Sequence, residues 1–297
     1  MSAKKNAKKK RHTGLKIFIF LILVLAIIWA SSNLYLQTVK YTVTSADLPE
    51  EFDGFKMVQI SDLHSMSFGK DNSRLVSSVN SQNPDIVVMT GDMINSDDTD
   101  FSVFYNLAEK LAETNDVYYI VGNHEQEHSE EEIAEIYRTL TEIGVNVLDN
   151  ERVTITRSGS SIDVYGLWFN LRYYVNVNDD SIGTQYYFDS EKIETVLGEC
   201  DKERFTLLLA HNPVYFETYS DWGADITLAG HMHGGMVRIP FVGGLFSPEK
   251  EYFPKYASGM FTEGNSSMIV NRGLGNRVFG LRFWNCPEIT VITLKSK

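Results

Sequence analysis

Residues 56–64 read KMVQISDLH, an apolar run that leads directly into two potential metal ligands. Residues 56–61 predict a buried β-strand, and Asp62 and His64 follow at its carboxyl end. Side chains two positions apart in an extended segment point to the same side, so we expect both donors to converge on one ion. This stretch therefore predicts a strand that delivers metal ligands.

The same arrangement, a strand followed at once by polar donors, occurs four more times along the chain. In an open parallel sheet the carboxyl ends of the strands form the edge where ligands bind, so we expect these donors to meet there. By the argument used for the first pair, two histidines separated by one residue would share an ion. The later donors are Asp92 after the strand at 85–90, Asn123 and His124 after 117–121, His211 after 205–210, and His231 and His233 after 225–229.

The number of donors predicts a centre with two metal ions, because one ion cannot use them all. A carboxylate has two oxygens and can bridge a pair of ions. Two divalent ions roughly 3.5–4 Å apart activate a shared water and hold both oxygens of an in-line displacement at phosphorus. Imidazole, carboxylate and amide donors without thiolate suit Mn, Fe or Zn, and we favour Mn.

The periodicity of the chain predicts the fold class. Strands alternate with helical segments between residues 56 and 143, which indicates crossover connections and largely parallel pairing. Ser158-Gly159-Ser160 then separates two short strands and predicts a hairpin. We expect an α/β fold (α+β by some schemes), a two-sheet β-sandwich flanked by helices and preceded by one transmembrane helix. The other predicted elements are strands at 39–44, 152–156, 162–168, 267–271 and 288–294, and helices at 74–80, 101–113, 130–143 and 190–198.

Charge is distributed unevenly along the chain. Residues 1–16 carry seven basic side chains and no acid, whereas the whole chain has a formal charge of −12, so residues 17–297 carry −19. An acidic body does not suit nucleic-acid binding, which needs clustered Lys and Arg. We therefore expect no nucleic-acid partner.

An apolar run follows the basic tail. Residues 17–30 read IFIFLILVLAIIWA, and continuation to residue 36 gives twenty residues, enough to span a bilayer. The basic flank predicts a single-pass membrane protein with its N-terminus in the cytoplasm and its body outside. A cleaved signal peptide is the alternative, although Trp29 is a poor neighbour for a cleavage site.

The five donor blocks together resemble those of calcineurin-like metallophosphoesterases, in the same order and after the same kind of strand. The blocks are Asp62-Leu63-His64, Gly91-Asp92, Gly122-Asn123-His124-Glu125, His211-Asn212-Pro213 and Gly230-His231-Met232-His233-Gly234-Gly235. The segment NRGLG at 271–275, with Arg282 and the PEI at 287–289, resembles a membrane-associated bacterial branch. That branch includes proteins similar to UDP-2,3-diacylglucosamine pyrophosphatases and to YkuE-type phosphoesterases.

The resemblance covers about residues 40–295 and implies a function. It implies a dinuclear phosphohydrolase that cleaves a phosphoester or pyrophosphate bond, with a phosphorylated small molecule, a lipid or a lipid-linked nucleotide as substrate. Charge, hydropathy and the donor blocks together predict four regions. These are a basic cytoplasmic tail at 1–16, a transmembrane signal-anchor at 17–36, a connector with the first strand at 37–55 and the catalytic domain at 56–297.

The resemblance further implies roles for individual residues. One metal would be held by Asp62, His64 and His233, the other by Asn123, His211 and His231, and Asp92 would bridge them. His124 would be the catalytic residue, which would stabilise developing charge or protonate the leaving oxygen. Family members often have Asp where this chain has Glu125, so whether Glu125 orients His124 stays open.

Two other classes of function compete with hydrolysis. A tethered module could use its metals only to bind a phosphorylated ligand, without turnover, but a binder needs no proton donor such as His124. A structural protein with a decayed site would lack some ligands, and the sequence contains the full set.

Several other residues receive structural interpretations. We predict that His128 is a solvated surface residue and that the DDTD run at 97–100 caps the following helix. Cys200 and Cys286 are expected to be free and packed, with one disulfide as the alternative. Arg272 could contact phosphate or form a structural ion pair. The aromatic residues at 168–187 are expected to pack in a core, with a substrate lid as the alternative.

Overall fold

The computed structural model describes residues 2–179, 181–276 and 282–297, with side chains from residue 13 onward. In these ranges two six-stranded sheets pack face to face, and helices cover both outer faces. The predicted two-sheet sandwich is thereby confirmed. The helices are α1 Ser2–Leu34, α2 Ser73–Asn80, α3 Ser102–Ala112, α4 Glu130–Ile143, α5 Ser190–Leu197 and α6 Phe216–Trp222. The strands are β1 Gln37–Ser45, β2 Lys56–Ile60, β3 Ile86–Thr90, β4 Asp116–Ile120, β5 Asn146–Val147, β6 Arg152–Arg157, β7 Ser160–Leu167, β8 Thr206–Ala210, β9 Ile226–Ala229, β10 Arg238–Ile239, β11 Gly243–Gly244, β12 Gly259–Glu263, β13 Ser266–Val270 and β14 Glu288–Ser296.

The first sheet has the strand order β1-β14-β2-β3-β4-β5. Strands β2, β3, β4 and β5 are mutually parallel, β14 runs antiparallel to β2, and β1 is parallel to β14. Three of the predicted donor blocks follow β2, β3 and β4. They therefore meet at one edge of this sheet, as expected for parallel strands.

The second sheet has the order β12-β13-β9-β8-β7-β6. Strands β13, β9, β8 and β7 are parallel, and the two edge strands β12 and β6 are antiparallel to their neighbours. The predicted hairpin is β6–β7, whose turn residues Ser158 and Gly159 have φ of 51° and 94°. The two remaining donor blocks follow β8 and β9.

Side chains alternate between the two faces of each central strand and form three apolar layers. One layer lies between the two sheets, and one lies between each sheet and its covering helices. In β3, Ile86 and Val88 face the second sheet, while Val87 and Met89 face α2, α3 and α4. In β8, Leu207 and Leu209 pack between the sheets. All of these side chains are at most 2% exposed, and each contributes about 1.5–3 kcal/mol through burial of apolar surface.

Local signals explain where helices begin and end. Helix α4 starts with a capping box in which the Ser129 side chain accepts from Glu132 N and the Glu132 carboxylate accepts from Ser129 N. It ends at Gly144, which adopts the left-handed conformation with φ 99° that glycine takes without steric cost. The bounds predicted for α4 from the sequence match the observed ones.

Helix α1 stands apart from the packed layers. Its segment Thr13–Leu34 has a mean hydropathy of 2.5, and none of its most apolar window is buried. By length and composition it could cross a membrane. The predicted basic tail continues the same helix back to Ser2, so backbone structure does not separate the tail from the apolar segment.

Candidate metal centre

Six of the seven donors predicted from the sequence come together at the joined edges of the two sheets. The ligand atoms of each of two groups lie within 4.8 Å of one another, and all the residues involved are buried. Asp92 belongs to both groups. The first group is Asp62, His64, Asp92 and His233, and the second is Asp92, His211 and His231.

The backbone at these donors is not extended. Asp62 and His64 have φ of 49° and 48°, and His231 and His233 have φ of 67° and 46°. We expected residues i and i+2 to converge because an extended backbone points them to the same side, and this reason is wrong because the backbone here is not extended. The expectation is also wrong in its outcome for the second pair, because His231 and His233 fall into different groups. Left-handed non-glycine residues cost about 1–3 kcal/mol each and collect at functional sites.

Hydrogen bonds fasten the strand-end loops to one another. The first loop is held by Asp62 N, which donates to Gly91 O at 3.0 Å, and by His64 N, which donates to Asp92 O at 3.1 Å. Across the two sheets, His231 N donates to Asp62 Oδ1 at 3.0 Å. These bonds hold the left-handed residues in place, so the donors are positioned by the fold itself.

Gly122 allows the loop after β4 to approach Asp92. A Cβ atom at position 122 would lie 2.2 Å from Asp92 Oδ1, a distance that no real contact allows. The same carboxylate oxygen accepts the His124 N–H at 2.8 Å. Glycine at 122 is therefore required for Asp92 to reach the centre.

Two buried donor atoms fit a metal. Asn123 Oδ1 and His211 Nε2 have no hydrogen-bond partner among the described residues. His211 Nε2 lies 3.2 Å from Asp92 Oδ2, although without hydrogen-bond geometry. Orphaned buried polar atoms are costly and need an explanation. A bound ion would supply the missing partner of these two atoms, and imidazole and amide oxygen are donors that Mn, Fe and Zn accept.

Electrostatics link Asp92 and His211. Burial alone would raise the pKa of Asp92, but the neighbouring His211 holds it well below its usual value. Burial alone would lower the pKa of His211, but Asp92 raises it to about 10. A proton on His211 occupies the lone pair that a metal needs. Metal binding at this pair is therefore expected to release a proton.

His124 lies beside the first group without joining it. Its ring is perpendicular to that of His64, with centroids 4.7 Å apart. The Ser96 N–H donates to His124 Nδ1 at 3.1 Å. Because a backbone N–H can only donate, neutral His124 must carry its proton on Nε2. The free end of this ring is thus a hydrogen-bond donor.

Glu125 does not contact His124 through its carboxylate. It is fully buried and accepts three backbone N–H bonds, from Asp92 at 2.9 Å, Met93 at 2.6 Å and Gly122 at 2.8 Å. Burial, followed by repulsion from Asp92, raises its pKa to about 7. Glu125 therefore ties together the loops after β3 and β4, and the role left open for it at His124 is filled by Ser96.

A partner of His64 was missed from the sequence. His64 Nδ1 lies 3.0 Å from Asn95 Oδ1, and Asp98 in turn accepts the Asn95 backbone N–H at 2.8 Å. The N-cap residue of α3, Phe101, makes no side-chain cap, and the DDTD run reaches the helix through Asp100, whose carboxylate accepts from Ser102 N at 2.9 Å. Asp98 instead accepts from the Asn95 side chain, which in turn contacts the His64 ring.

The prediction for His128 is wrong. Its side chain is only 3% exposed, and its Nε2 lies 2.9 Å from Asn95 O. The ring also packs edge-on against Phe101. A position just before a helix looked solvated from the sequence, but the loop after β3 folds over it.

The aromatic residues divide between core and site. Phe169 and Tyr173 are buried with Phe188, which confirms packing for these two. Tyr174 packs against Phe169, with ring centroids 5.4 Å apart, and also lies beside the candidate metal centre, with its ring centroid 5.1 Å from that of His231. Its sequence neighbourhood does not distinguish Tyr174 from the adjacent aromatic residues.

Arg272 and the cysteines are structural. Arg272 pairs with the buried Glu288 and donates to Gln37 Oε1 at 3.0 Å, so the structural interpretation of this arginine is confirmed. Both Cys200 and Cys286 are free and half-buried in the described part of the chain, as expected.

One acidic residue at the centre was not predicted. Glu249, on the segment between β11 and β12, contacts His231 Nε2 and is 4% exposed. Nothing in its sequence neighbourhood, SPEKEYF at 247–253, distinguishes it from a surface residue.

Comparison with known proteins agrees with this geometry. Residues 55–235 match the family model described as calcineurin-like phosphoesterase. The uncharacterized metallophosphoesterase YkuE of Bacillus subtilis is 33% identical over 88% of this chain and 86% of its own length. The phosphodiesterase YaeI of Escherichia coli is 29% identical over 81% of this chain and 82% of its own. The solved structure of the phosphopantetheinyl hydrolase PptH of Mycobacterium tuberculosis is similar with a TM-score of 0.49 and 13% identity, covering 76% of this chain and 91% of that one. The chain therefore belongs to the calcineurin-like phosphoesterase family and is a metal-dependent phosphoester hydrolase.

Proposed function

We propose that this chain is a membrane-anchored dinuclear phosphohydrolase whose substrate is a phosphorylated lipid or lipid-linked nucleotide. In the proposed centre, Asp62, His64 and His233 hold the first metal, and Asn123, His211 and His231 hold the second. Asp92 bridges the two. The observation that carries the proposal is the convergence of these buried donors around Asp92, together with the orphaned Asn123 Oδ1 and His211 Nε2.

Two bound divalent ions supply Lewis acidity, which lowers the pKa of a water and neutralises phosphoryl oxygens. Mn is the ion we favour. The residues of the chain do the positioning. Asp92, Glu125 and Gly122 fix the loops, and His124 presents a protonated Nε2. We propose that the His124 Nε2–H donates a hydrogen bond to the oxygen that leaves phosphorus and stabilises the negative charge that develops there.

The environment of the centre supports a substrate at a membrane surface. Asn33, at the end of α1, donates to Arg282 O at 2.9 Å, and Asn285 donates to the O atom of the proposed ligand His233 at 2.6 Å. Four consecutive residues thus connect the end of the apolar helix to the metal centre. If α1 spans a bilayer, the centre lies near the lipid headgroups.

Exposed apolar side chains lie on the same part of the molecule. Phe241 and Val242, between β10 and β11, are exposed, as is Trp284. The β10–β11 segment is joined to Phe283 by the Arg238 N–H, which donates to Phe283 O at 2.9 Å. Aromatic residues of this kind settle at membrane interfaces. The basic N-terminus favours a cytoplasmic tail and an extracytoplasmic catalytic domain, which protease accessibility in intact cells would test.

A substrate screen tests the function. The full-length protein in detergent micelles with Mn²⁺ would be offered phospholipids, UDP-linked lipids, nucleotides and an aryl phosphodiester. We expect hydrolysis of a lipid-bearing phosphate to exceed that of its water-soluble analogue. Equal rates for both would show that the enzyme does not recognise the lipid part of the substrate. The hydrolase function would still stand.

The competing function is a tethered module that binds phosphorylated ligands without turnover. The position of His124 beside the first ligand group favours turnover, because its Nε2–H can stabilise charge that develops on a leaving oxygen. Metal-loaded protein that binds these ligands and hydrolyses none of them would favour the module.

A further inference from the structure

The histidines of the centre share a pattern in how their two ring nitrogens are used. In three of them, Nδ1 bonds an uncharged oxygen outside the centre and Nε2 points to the other donors. The three contacts are His64 Nδ1 to Asn95 Oδ1 at 3.0 Å, His211 Nδ1 to Thr90 O at 2.6 Å and His233 Nδ1 to Gly275 O at 3.2 Å. Such outer oxygens fix the tautomer and the orientation of a metal-binding imidazole.

His231 reverses this pattern. Its Nε2 contacts the Glu249 carboxylate, so Nδ1 is the nitrogen left for a metal. The ring lies among the donors of the second group, with its centroid 5.1 Å from that of His211. Among the outer contacts of these four histidines, Glu249 is the charged acceptor.

Glu249 is built into the centre rather than resting on its surface. Its side chain is 4% exposed, and its Oε2 has no hydrogen-bond partner within the described ranges. The segment that carries it is closed by two bonds between Ser247 and Glu251, from Ser247 N to Glu251 O at 2.9 Å and from Glu251 N to Ser247 Oγ at 3.1 Å. A buried carboxylate is costly unless positive charge compensates it, and a divalent ion beyond His231 would provide that charge.

We propose that Glu249 is a positioning residue for the second metal, which accepts the Nε2–H of His231 and thereby presents Nδ1 to the ion. This inference rests on the proposed dinuclear centre. The carboxylate makes the imidazole a stronger donor and adds negative charge behind it. Glu249 thus increases the affinity of the second metal position and leaves the affinity of the first position unchanged.

Three variants test the role in the full-length protein. Glu249→Ala removes both the acceptor and the charge, whereas Glu249→Gln keeps an oxygen acceptor and removes only the charge. Glu251→Gln, two residues away on the same segment, is the matched control. Metal content and affinity would be measured by Mn²⁺ titration, and electron paramagnetic resonance would report the exchange-coupled Mn pair.

We expect the affinity for the second metal to decrease stepwise across the variants, while the affinity for the first metal stays the same. Glu249→Ala should weaken the second metal by about 10–100-fold, as is usual when the outer partner of a ligand is removed. Glu249→Gln should fall between Glu249→Ala and the unchanged protein, and the coupled-pair signal should decline in the same order. Glu251→Gln should match the unchanged protein. If circular dichroism shows that Glu249→Ala does not fold, Glu249→Gln alone is compared with the unchanged protein.

Two results would overturn the role of Glu249. One is unchanged affinity for both metals in Glu249→Gln and Glu249→Ala. The other is tighter binding of the second metal in either variant, since Glu249 would then compete with the ion for His231. Unchanged protein that binds fewer than two Mn²⁺ would instead defeat the dinuclear centre itself, so the two failures are distinguishable.

Discussion

Asp92 Oδ2 lies 3.2 Å from His211 Nε2 and 3.9 Å from His64 Nε2. One carboxylate oxygen therefore faces an imidazole from each sheet. Its other oxygen is occupied by the His124 N–H. Asp92 is the geometric centre of the site, and its removal should disturb both metal positions.

We expect Asp92→Asn to lose most bound metal and to slow hydrolysis of an aryl phosphodiester by roughly 100-fold or more, because a charge that stabilises both ions disappears. Metal content by mass spectrometry and initial rates would check this. Asp221→Asn, at an exposed position of α6, is the control and should behave like the unchanged protein. Full retention of metal and rate by Asp92→Asn would contradict the proposed bridge.

His124→Ala should separate metal binding from chemistry. The side chain lies outside both ligand groups and is oriented by Ser96 N, so we expect two bound metals and a large loss of turnover. Loss of one hydrogen-bond donor to charge that develops in the transition state typically costs about 10²–10³-fold. The loss should be larger for an alkyl leaving group than for nitrophenolate, which departs without a proton. Loss of metal in His124→Ala would identify this histidine as a ligand.

Gly122→Ala tests whether backbone approach positions the bridging carboxylate. The added Cβ would meet Asp92 Oδ1 at 2.2 Å and Asp92 N at 2.5 Å, and the backbones of both residues are held by N–H bonds to the Glu125 carboxylate. We expect weaker metal binding and lower activity with the fold retained. Circular dichroism would establish that the fold is retained. Activity equal to that of the unchanged protein would mean that the two loops can separate at little cost.

The sequence predicted the strands that carry the donors and their order. Strand periodicity and directly following donors are local signals, and β2, β3, β4, β8 and β9 begin and end within one or two residues of their expected positions. The same signals missed β12 and α6, whose residues lack a clear period. Edge strands such as β12 are defined by their partner, here β13, more than by their own pattern.

The outer contacts of the centre could not be predicted in this way. Asn95, Asp98 and Glu249 reach the metal donors through loops, and a loop's path depends on long-range packing rather than on local preference. The left-handed backbone at Asp62 and His64 is likewise imposed by hydrogen bonds from another strand end. The predicted donors follow strands with clear local signals, whereas the residues that hold these donors in place lie on loops without such signals.

Asp225 provides a prediction about stability that is independent of the metals. It lies just before β9, and its Oδ2 accepts the Thr206 N–H at 2.7 Å. Burial raises its pKa from 3.8 to about 6. The folded protein therefore binds more protons than the unfolded chain between these two values. The free energy of unfolding must fall as pH rises through that window.

Asp225→Asn keeps an oxygen acceptor for Thr206 N and removes the charge that burial disfavours. Above pH 6 we expect the variant to be more stable than the unchanged protein, by about 1 kcal/mol once solvent screening of this partly exposed carboxyl is considered. Near pH 4 the aspartic acid is protonated in the folded state and about half protonated in the unfolded chain, so most of the advantage should disappear. Urea unfolding at pH 4 and pH 7.5, with Asp221→Asn as the exposed control, would measure the difference. An equal advantage at both pH values would mean that the substitution acts through packing and not through the buried charge.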